Sequence, residues 1–557
     1  MISRFIQMVN TEIKGLHETA YMLGALSLAS SVLALLRDRL FAHLFGASLT
    51  LDVYNAAFRI PDVLFVSIAS LASSFVLIPA LAAAQDKKTE RAFIRTVTLC
   101  LGIVLISAAC IVGFFMQPIA YYLYPSIFAA GSGEEFVFLA RILLVQVILL
   151  GCSNIAASVV QFYGRYTLFA IAPIAYSLGT IFGAIVLYPI FGIAGMGYGV
   201  VLGACAHFLI QLPFFYQHGL KGGFSLVPLR EVIKTMQISV PRTFSLATSH
   251  LSILAITTMA ASLGTGALTL FAFAYNLQAA PLAMIGASYS VAAFPTLSKL
   301  YREKNTESYV THMLTAARHI IFWSLPLTAL CIVLRAYIVR IILGTGAFGW
   351  AETRVTAATL ALFLIALTAQ GITLLFIRGY YAAERTLVPV IVSASTAVLS
   401  VVLAFSFLNL YQQGGMIKYF VHSLLRLADT DAAAVAMLAL GYAVAAVLGA
   451  IALVVIFSYS IRSVRYYILR SLREGMIGAV MAGFACYVTT QALSPYLGTE
   501  TFMGLASIGL IGCIAGLTFG AIILFLIGNR EVQEVWAAFH SKTLWKTRPT
   551  GGEDVPL

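Results

Sequence analysis

Apolar runs of twenty or more residues recur along the whole chain, separated by short polar stretches. Each run is long enough to cross a hydrocarbon core roughly 30 Å thick. The pattern predicts fourteen spans, at 21–46, 52–84, 94–118, 135–162, 166–189, 192–216, 238–264, 268–298, 314–343, 354–382, 386–410, 431–461, 474–494 and 502–527. A membrane β-barrel would instead alternate with period two over runs of about ten residues. The expected class is therefore an all-α polytopic membrane protein. Its longest spans project from the bilayer, tilt, or break at proline.

The polar punctuation orients these spans. Loops after even-numbered spans carry Lys87, Lys88, Arg91 and Arg95, then Lys221, Arg230, Lys234 and Arg242, then Lys299, Arg302, Lys304 and Arg318, then Arg462, Arg465, Arg470 and Arg473. Arg165, Arg378 and Arg385 add to the short loops after spans four and ten. The loops after spans three, five, seven and thirteen hold no Lys or Arg. The positive-inside rule then places even-numbered loops and both termini in the cytoplasm. Arg335, Arg340, Arg354, Lys418 and Arg426 run against the rule. Residues 411–430 are expected to form a short amphipathic helix on the outer surface, residues 1–20 an interfacial lead-in, and residues 529–557 a cytoplasmic tail.

The chain also repeats. Residues 44–81, LFGASLTLDVYNAAFRIPDVLFVSIASLASSFVLIPAL, echo residues 263–297, LGTGALTLFAFAYNLQAAPLAMIGASYSVAAFPTL. Pro79 answers Pro295, and Arg59 falls near Asn276. A weaker echo pairs 162–173, FYGRYTLFAIAP, with 380–389, YYAAERTLVP. Six spans repeat as six, and because six is even the halves run parallel. This predicts an N-lobe at 21–220, a C-lobe at 221–465 and two appended spans at 466–528. Parallel repeats of this kind form substrate sites between the halves and suit alternating access.

Composition narrows the class further. The chain of 557 residues is 61% hydrophobic and 10% charged, against about 25% charged in soluble domains. Its net charge of +12, sitting in short loops, points to anionic lipid headgroups and not to nucleic acid. Seven cysteines are scattered through apolar segments with no CxxC pair, so neither a metal site nor a disulfide framework is indicated. Walker A, HExxH and paired catalytic carboxylates are absent from the sequence. The chain is expected to be a transporter and not an enzyme, without a cofactor. Transport would draw on an ion gradient or on the membrane potential, worth about 2.3 kcal/mol per charge per 100 mV.

The stretch Leu36 to Asp62, LRDRLFAHLFGASLTLDVYNAAFRIPD, concentrates the chemistry. An ionised side chain at the centre of a span costs about 2.5–3.5 kcal/mol on insertion scales, so it marks a polar cavity or an interface. Arg37 and Arg59 are candidates for phosphate contact, because a guanidinium offers a fixed fork of donors. The plainer alternative for Arg37 is a helix-tying pair with Asp38 or Asp52. Asp52 reads either as an ordinary helix cap or as an orienting or gating group. Asn276 and Gln278 occupy the corresponding region of the second half, where they suit sugar hydrogen bonding or plain interhelical bonding. Asp38, Arg39, Arg141 and Gln370 are further cavity or gate candidates.

The RD pair followed by FGAS, an Asp, AAFRIPD and SFVLIPAL resembles the opening of the MurJ (MviN) lipid II flippase family. That family belongs to the superfamily of multidrug and oligosaccharidyl-lipid exporters. AFAYNLQAAPLAMIGASYSVAAFPTLSKL and IRGYYAAERTLVPV resemble its second-half segments. The resemblance implies a V-shaped pair of six-helix lobes around a cationic cavity, with the last two spans forming a groove for the lipid tail. It assigns Arg37, Asp52 and Arg59 to family positions. Ser31, Phe65, Val66, Ser70 and Asn276 stand where the family pattern carries charged residues. The function so implied is alternating-access transport of a lipid-linked peptidoglycan precursor across the bacterial inner membrane. The expected partners are the lipid-linked oligosaccharide, membrane lipids and cell-wall synthesis proteins. Alternatives are a flippase for another polyprenyl-linked oligosaccharide, an ion-coupled drug exporter, or a non-transporting cell-wall scaffold.

Overall fold

The computed structural model describes residues 16–534 apart from 84–85, 222–225, 238, 426–430, 461–462 and 499–500. The expected lead-in over 1–15, the tail beyond 534, Arg426 and Arg462 lie outside the described residues. Every regular element among the described residues is helical. Twelve helices are long and apolar enough to cross a membrane, and the bent pair Trp350–Ile365 and Leu367–Ala382, meeting at 43°, makes thirteen. The helix Leu16–Phe45 occupies the place of the first predicted span but is not among the thirteen. The predicted fourteen is therefore not reached among the described residues. The ninth predicted span, 314–343, is instead the helix Thr306–Val333 followed by a separate short helix, Arg335–Ile342. A helix at Met416–Leu425 falls inside the segment expected to be amphipathic.

The repeat is visible in local structure. The span Leu49–Ala82 breaks at a 3-10 turn, Ser70–Ala72, and contains Pro61 and Pro79. Its counterpart Ala267–Arg302 breaks at a π turn, Ala283–Ala287, and contains Pro281 and Pro295. A proline lacks the N–H that would continue the helix ladder, so it favours such interruptions. The helices Lys87–Phe114 and Thr306–Val333 open in the same way. Asp86 accepts the N–H of Thr89 at 2.6 Å, and Asn305 accepts that of Ser308 at 3.0 Å. At the ends of the fourth and tenth spans, Gly164 and Glu384 take positive φ, +72° and +57°. There the N–H of Arg165 reaches the carbonyl of Val160 and that of Arg385 the carbonyl of Tyr380, both at 2.9 Å. These are matched left-handed helix stops.

The chain divides into two compact units, Met1–Ala272 with Ile342–Glu352, and Phe273–Ile341 with Thr353–Leu557. The first has a core of Leu101, Leu105, Val147, Ile155, Val159 and Phe215. Within it, Gly192 (φ +60°) alone links the helical span Tyr166–Phe191 to the helix starting at Ile193. These two helices touch backbone to backbone. A methyl group added at Gly183 would meet the Cα of Gly199 at 2.7 Å, and one at Gly179 would overlap the backbone of Gly203. Small residues permit this approach where lipid supplies no hydrophobic drive between helices. The second unit is centred on Leu297, Met313, Ile320, Leu375, Phe376 and Leu453. Outward-facing Ile103, Leu178, Phe405, Phe484 and Leu510 are all more than half exposed, as expected of faces solvated by acyl chains.

Candidate substrate-binding site

The polar residues of Leu36 to Asp62 lie on two helices of the first unit, Leu16–Phe45 and Leu49–Ala69. Arg37 is half-buried. Its Nε and Nη2 donate to Oδ1 of the buried Asp38 at 3.0 and 2.8 Å. Of the pairings read from the sequence, the one with the adjacent Asp38 forms. Tyr54 and Tyr176 lie within electrostatic range of the Arg37 guanidinium, and the Tyr176 hydroxyl donates to the buried Gln146 at 2.9 Å. Arg39 and His43 are used at the end of the helix. Arg39 Nη1 donates to the Ile342 carbonyl at 3.3 Å, and His43 Nδ1 lies 3.2 Å from Thr345 Oγ1. The His43 carbonyl accepts the N–H of Ala347 at 3.1 Å. Segment 342–352 is thereby held against the first helix.

Asp52 does something the sequence did not disclose. The cap of its own helix is Ser48, whose Oγ accepts the N–H of Leu51 at 3.5 Å. The Asp52 carboxylate is 3% exposed and turns to the start of the helix Ala267–Leu282. It accepts the N–H of Gly266 at 2.5 Å, the N–H of Thr269 at 2.8 Å and the Thr269 hydroxyl at 2.7 Å. Free N–H groups and the positive end of the helix dipole make a helix N-terminus a natural carboxylate partner. Two glycines make room for this joint. Gly46 has φ +60°, and an added methyl would stand 2.6 Å from the carbonyl oxygen of Ala347. Gly266 has φ +84°, and a methyl there would overlap the carbonyl of Ala47.

Arg59 is the unsatisfied cation of the group. It is half-buried, and its Nε is inaccessible and has no hydrogen-bond partner. Asp62, Tyr124 and His250 lie within electrostatic range of it. Tyr124 is fully buried, with its hydroxyl 3.3 Å from that of Thr257. Asp62 and His250 were not singled out from the sequence. The available signal was the i, i+3 spacing of Arg59 and Asp62, which places both on one helix face.

The second-half candidates pair with each other. Gln370 Nε2 donates to Oε1 of the buried Gln278 at 3.4 Å, and Asn276 is half-buried on the same helix as Gln278. Ser31 is half-buried on the first helix. Ser70 donates to the Val66 carbonyl and to Thr243 Oγ1, at 2.5 and 2.9 Å. Arg141 is exposed and donates to the Gly113 carbonyl at 3.0 Å, near the C-terminus of the helix Lys87–Phe114. A cation is favoured there by the helix dipole.

The family described as lipid II flippase MurJ matches residues 41–507. A lipid II flippase MurJ of Burkholderia cenocepacia is 26% identical over 416 residues, covering 70% of this chain and 78% of the relative. A probable lipid II flippase MurJ of Thermotoga maritima is 27% identical over 399 residues, covering 70% and 79%. Among solved structures, a lipid II flippase MurJ in an inward closed conformation superposes with TM-score 0.72 at 19% identity, covering 91% of this chain and all of the other. A multidrug resistance MATE family transporter of the MOP superfamily, inward-facing, superposes at 0.64 with 15% identity, covering 78% and 96%. Both structural likenesses concern the fold. Taken with the match over most of its length, they identify the chain as a multi-pass membrane protein that belongs to the MurJ family.

Proposed function

We propose that this chain is a flippase that carries lipid II across the bacterial inner membrane. The observation that carries the reading is the family match over residues 41–507, joined by curated relatives named lipid II flippase. The headgroup would pass through a polar cavity while the polyprenyl tail stays among acyl chains. Arg59 is the favoured phosphate contact, because its Nε lacks an internal partner and a buried unpaired donor is costly unless a ligand satisfies it. Arg37 contributes a second guanidinium, held in place by an ion pair with Asp38 that already offsets its charge. The cycle exchanges inward-open and outward-open packings that differ by a few kcal/mol and are biased by ligand. Its energy would come from the membrane potential or an ion gradient. The basic loops and both termini face the cytoplasm in this reading, and the protein performs transport without chemical conversion.

The test is complementation of a conditional lipid II flippase depletion strain with the wild type, Arg37→Ala and Arg59→Ala at matched membrane levels. Rescue by the wild type and failure of Arg59→Ala is the expected result. Failure of a well-inserted wild type to rescue would overturn lipid II as the substrate in that host. Rescue by both variants would remove the arginines from the transport path.

A further inference from the structure

Asp62 is a carboxylate within a membrane span that the transport reading above leaves without a role. It lies about 20 Å along the helix from Leu49, at 1.5 Å per residue, in a span that runs to Ala82. It is half-buried, follows the buried Pro61, and makes no hydrogen bond or ion pair with the described residues. Among the described residues, the charged and titratable groups found to bear on it belong to the first unit. On its own helix these are Arg59 and Tyr54. From the helix Tyr166–Phe182 it is Tyr176, and from the first helix the ion pair Arg37–Asp38 reaches the same tyrosines. The helix Val240–Ala261 brings His250, and Tyr124 stands beside it, both in range of Arg59. The helix Gly133–Phe162 contributes the neutral Gln146, bonded to Tyr176.

The charges in this group cancel. Arg37 is offset by Asp38 at 2.8 Å, and Arg59 is offset in sum, though not by contact, by ionised Asp62. A multivalent phosphate entering beside Arg59 would therefore meet a neutral site with an unscreened carboxylate one helical turn away. Placing two like charges close together in a low-dielectric interior is strongly unfavourable. A proton taken from cavity water onto the Asp62 carboxylate removes the repulsion and leaves Arg59 as uncompensated positive charge. Resting on the lipid-linked reading above, we infer that Asp62 is a proton-binding site coupled to substrate, protonated when a diphosphate headgroup binds at Arg59 and deprotonated when it leaves. Binding and protonation are then linked, so each strengthens the other by the same factor.

The experiment measures binding of a polyprenyl diphosphate to the full-length protein in nanodiscs between pH 5.5 and 8.5, for the wild type, Asp62→Asn and Asp62→Glu. Asp62→Asn has nearly the same shape and carries no charge. It is expected to bind more tightly at the alkaline end and to lose a pH slope approaching about tenfold per unit, the signature of one linked proton. Asp62→Glu retains the slope. The lipid's own ionisation and that of His250 are common to all three proteins, so only the difference in slope reports on Asp62. Equal slopes in the wild type and Asp62→Asn, with binding intact, overturn the coupling and leave the lipid-linked reading standing. Absence of binding in every protein overturns both.

Discussion

Replacing Asp52 by alanine tests whether this triply bonded carboxylate is a strut or a substrate ligand. The change strands the N–H groups of Gly266 and Thr269, each buried and each now served by the carboxylate. A buried donor left without a partner costs about 1–3 kcal/mol. Removing the buried charge returns part of that sum, so the net loss is about 2–4 kcal/mol. Asp52→Asn keeps one oxygen for Thr269 but turns an amide NH2 toward the Gly266 N–H, and should cost about half as much. Thr269→Val removes only the hydroxyl arm at 2.7 Å, for about 1 kcal/mol. The double variant should fall short of additivity by the shared bond. The assay is equilibrium unfolding of the purified protein in mixed micelles, with transport measured per folded molecule. An Asp52→Ala protein within about 0.5 kcal/mol of the wild type, inside ordinary surface-substitution scatter, would refute the strut. So would one that is stable yet inactive.

Gly266→Ala should lower stability by at least about 1–3 kcal/mol, the cost of a strained left-handed residue, since its methyl also overlaps the Ala47 carbonyl. Gly131→Ala has positive φ but open space around it, so thermal unfolding should shift less. Arg318→Ala should strand Glu531, whose carboxylate is 6% exposed and 2.6 Å from Arg318 Nε. A loss of about 3 kcal/mol is expected, seen as a lower unfolding temperature. The paired change Arg318→Met with Glu531→Leu should recover most of it.

Much of the architecture was written in single residues. The apolar runs located many spans to within a few positions, as at Leu49–Ala82 against 52–84 and Val240–Ala261 against 238–264, but missed the bounds of Thr306–Val333 and Val464–Leu497, set at 314–343 and 474–494. The two segments sharing LTL and two prolines did become the two interrupted spans. The Arg37–Asp38 pair was legible because its partners are adjacent in sequence. Asp52 was not, because its partners lie 214 and 217 residues away and a carboxylate near a helix start looks the same whichever helix it caps. The Gln278–Gln370 pair was hidden for the same reason, its partners being 92 residues apart. Asp62 was overlooked because isolation is a tertiary property. Nothing in the residue itself says that no donor will reach it.

The glycine contact between the helices flanking Gly192 has a consequence for how the chain is assembled. Side chains that interlock must freeze rotamers, whereas a glycine–glycine face has none to freeze. A one-residue link also leaves almost no loop to close. The pair Tyr166–Phe191 and Ile193–Leu220 can therefore zip together as soon as both segments have entered the bilayer, without waiting for the second unit. It would then serve as a finished plank against which the spans of the first unit made before and after it can pack.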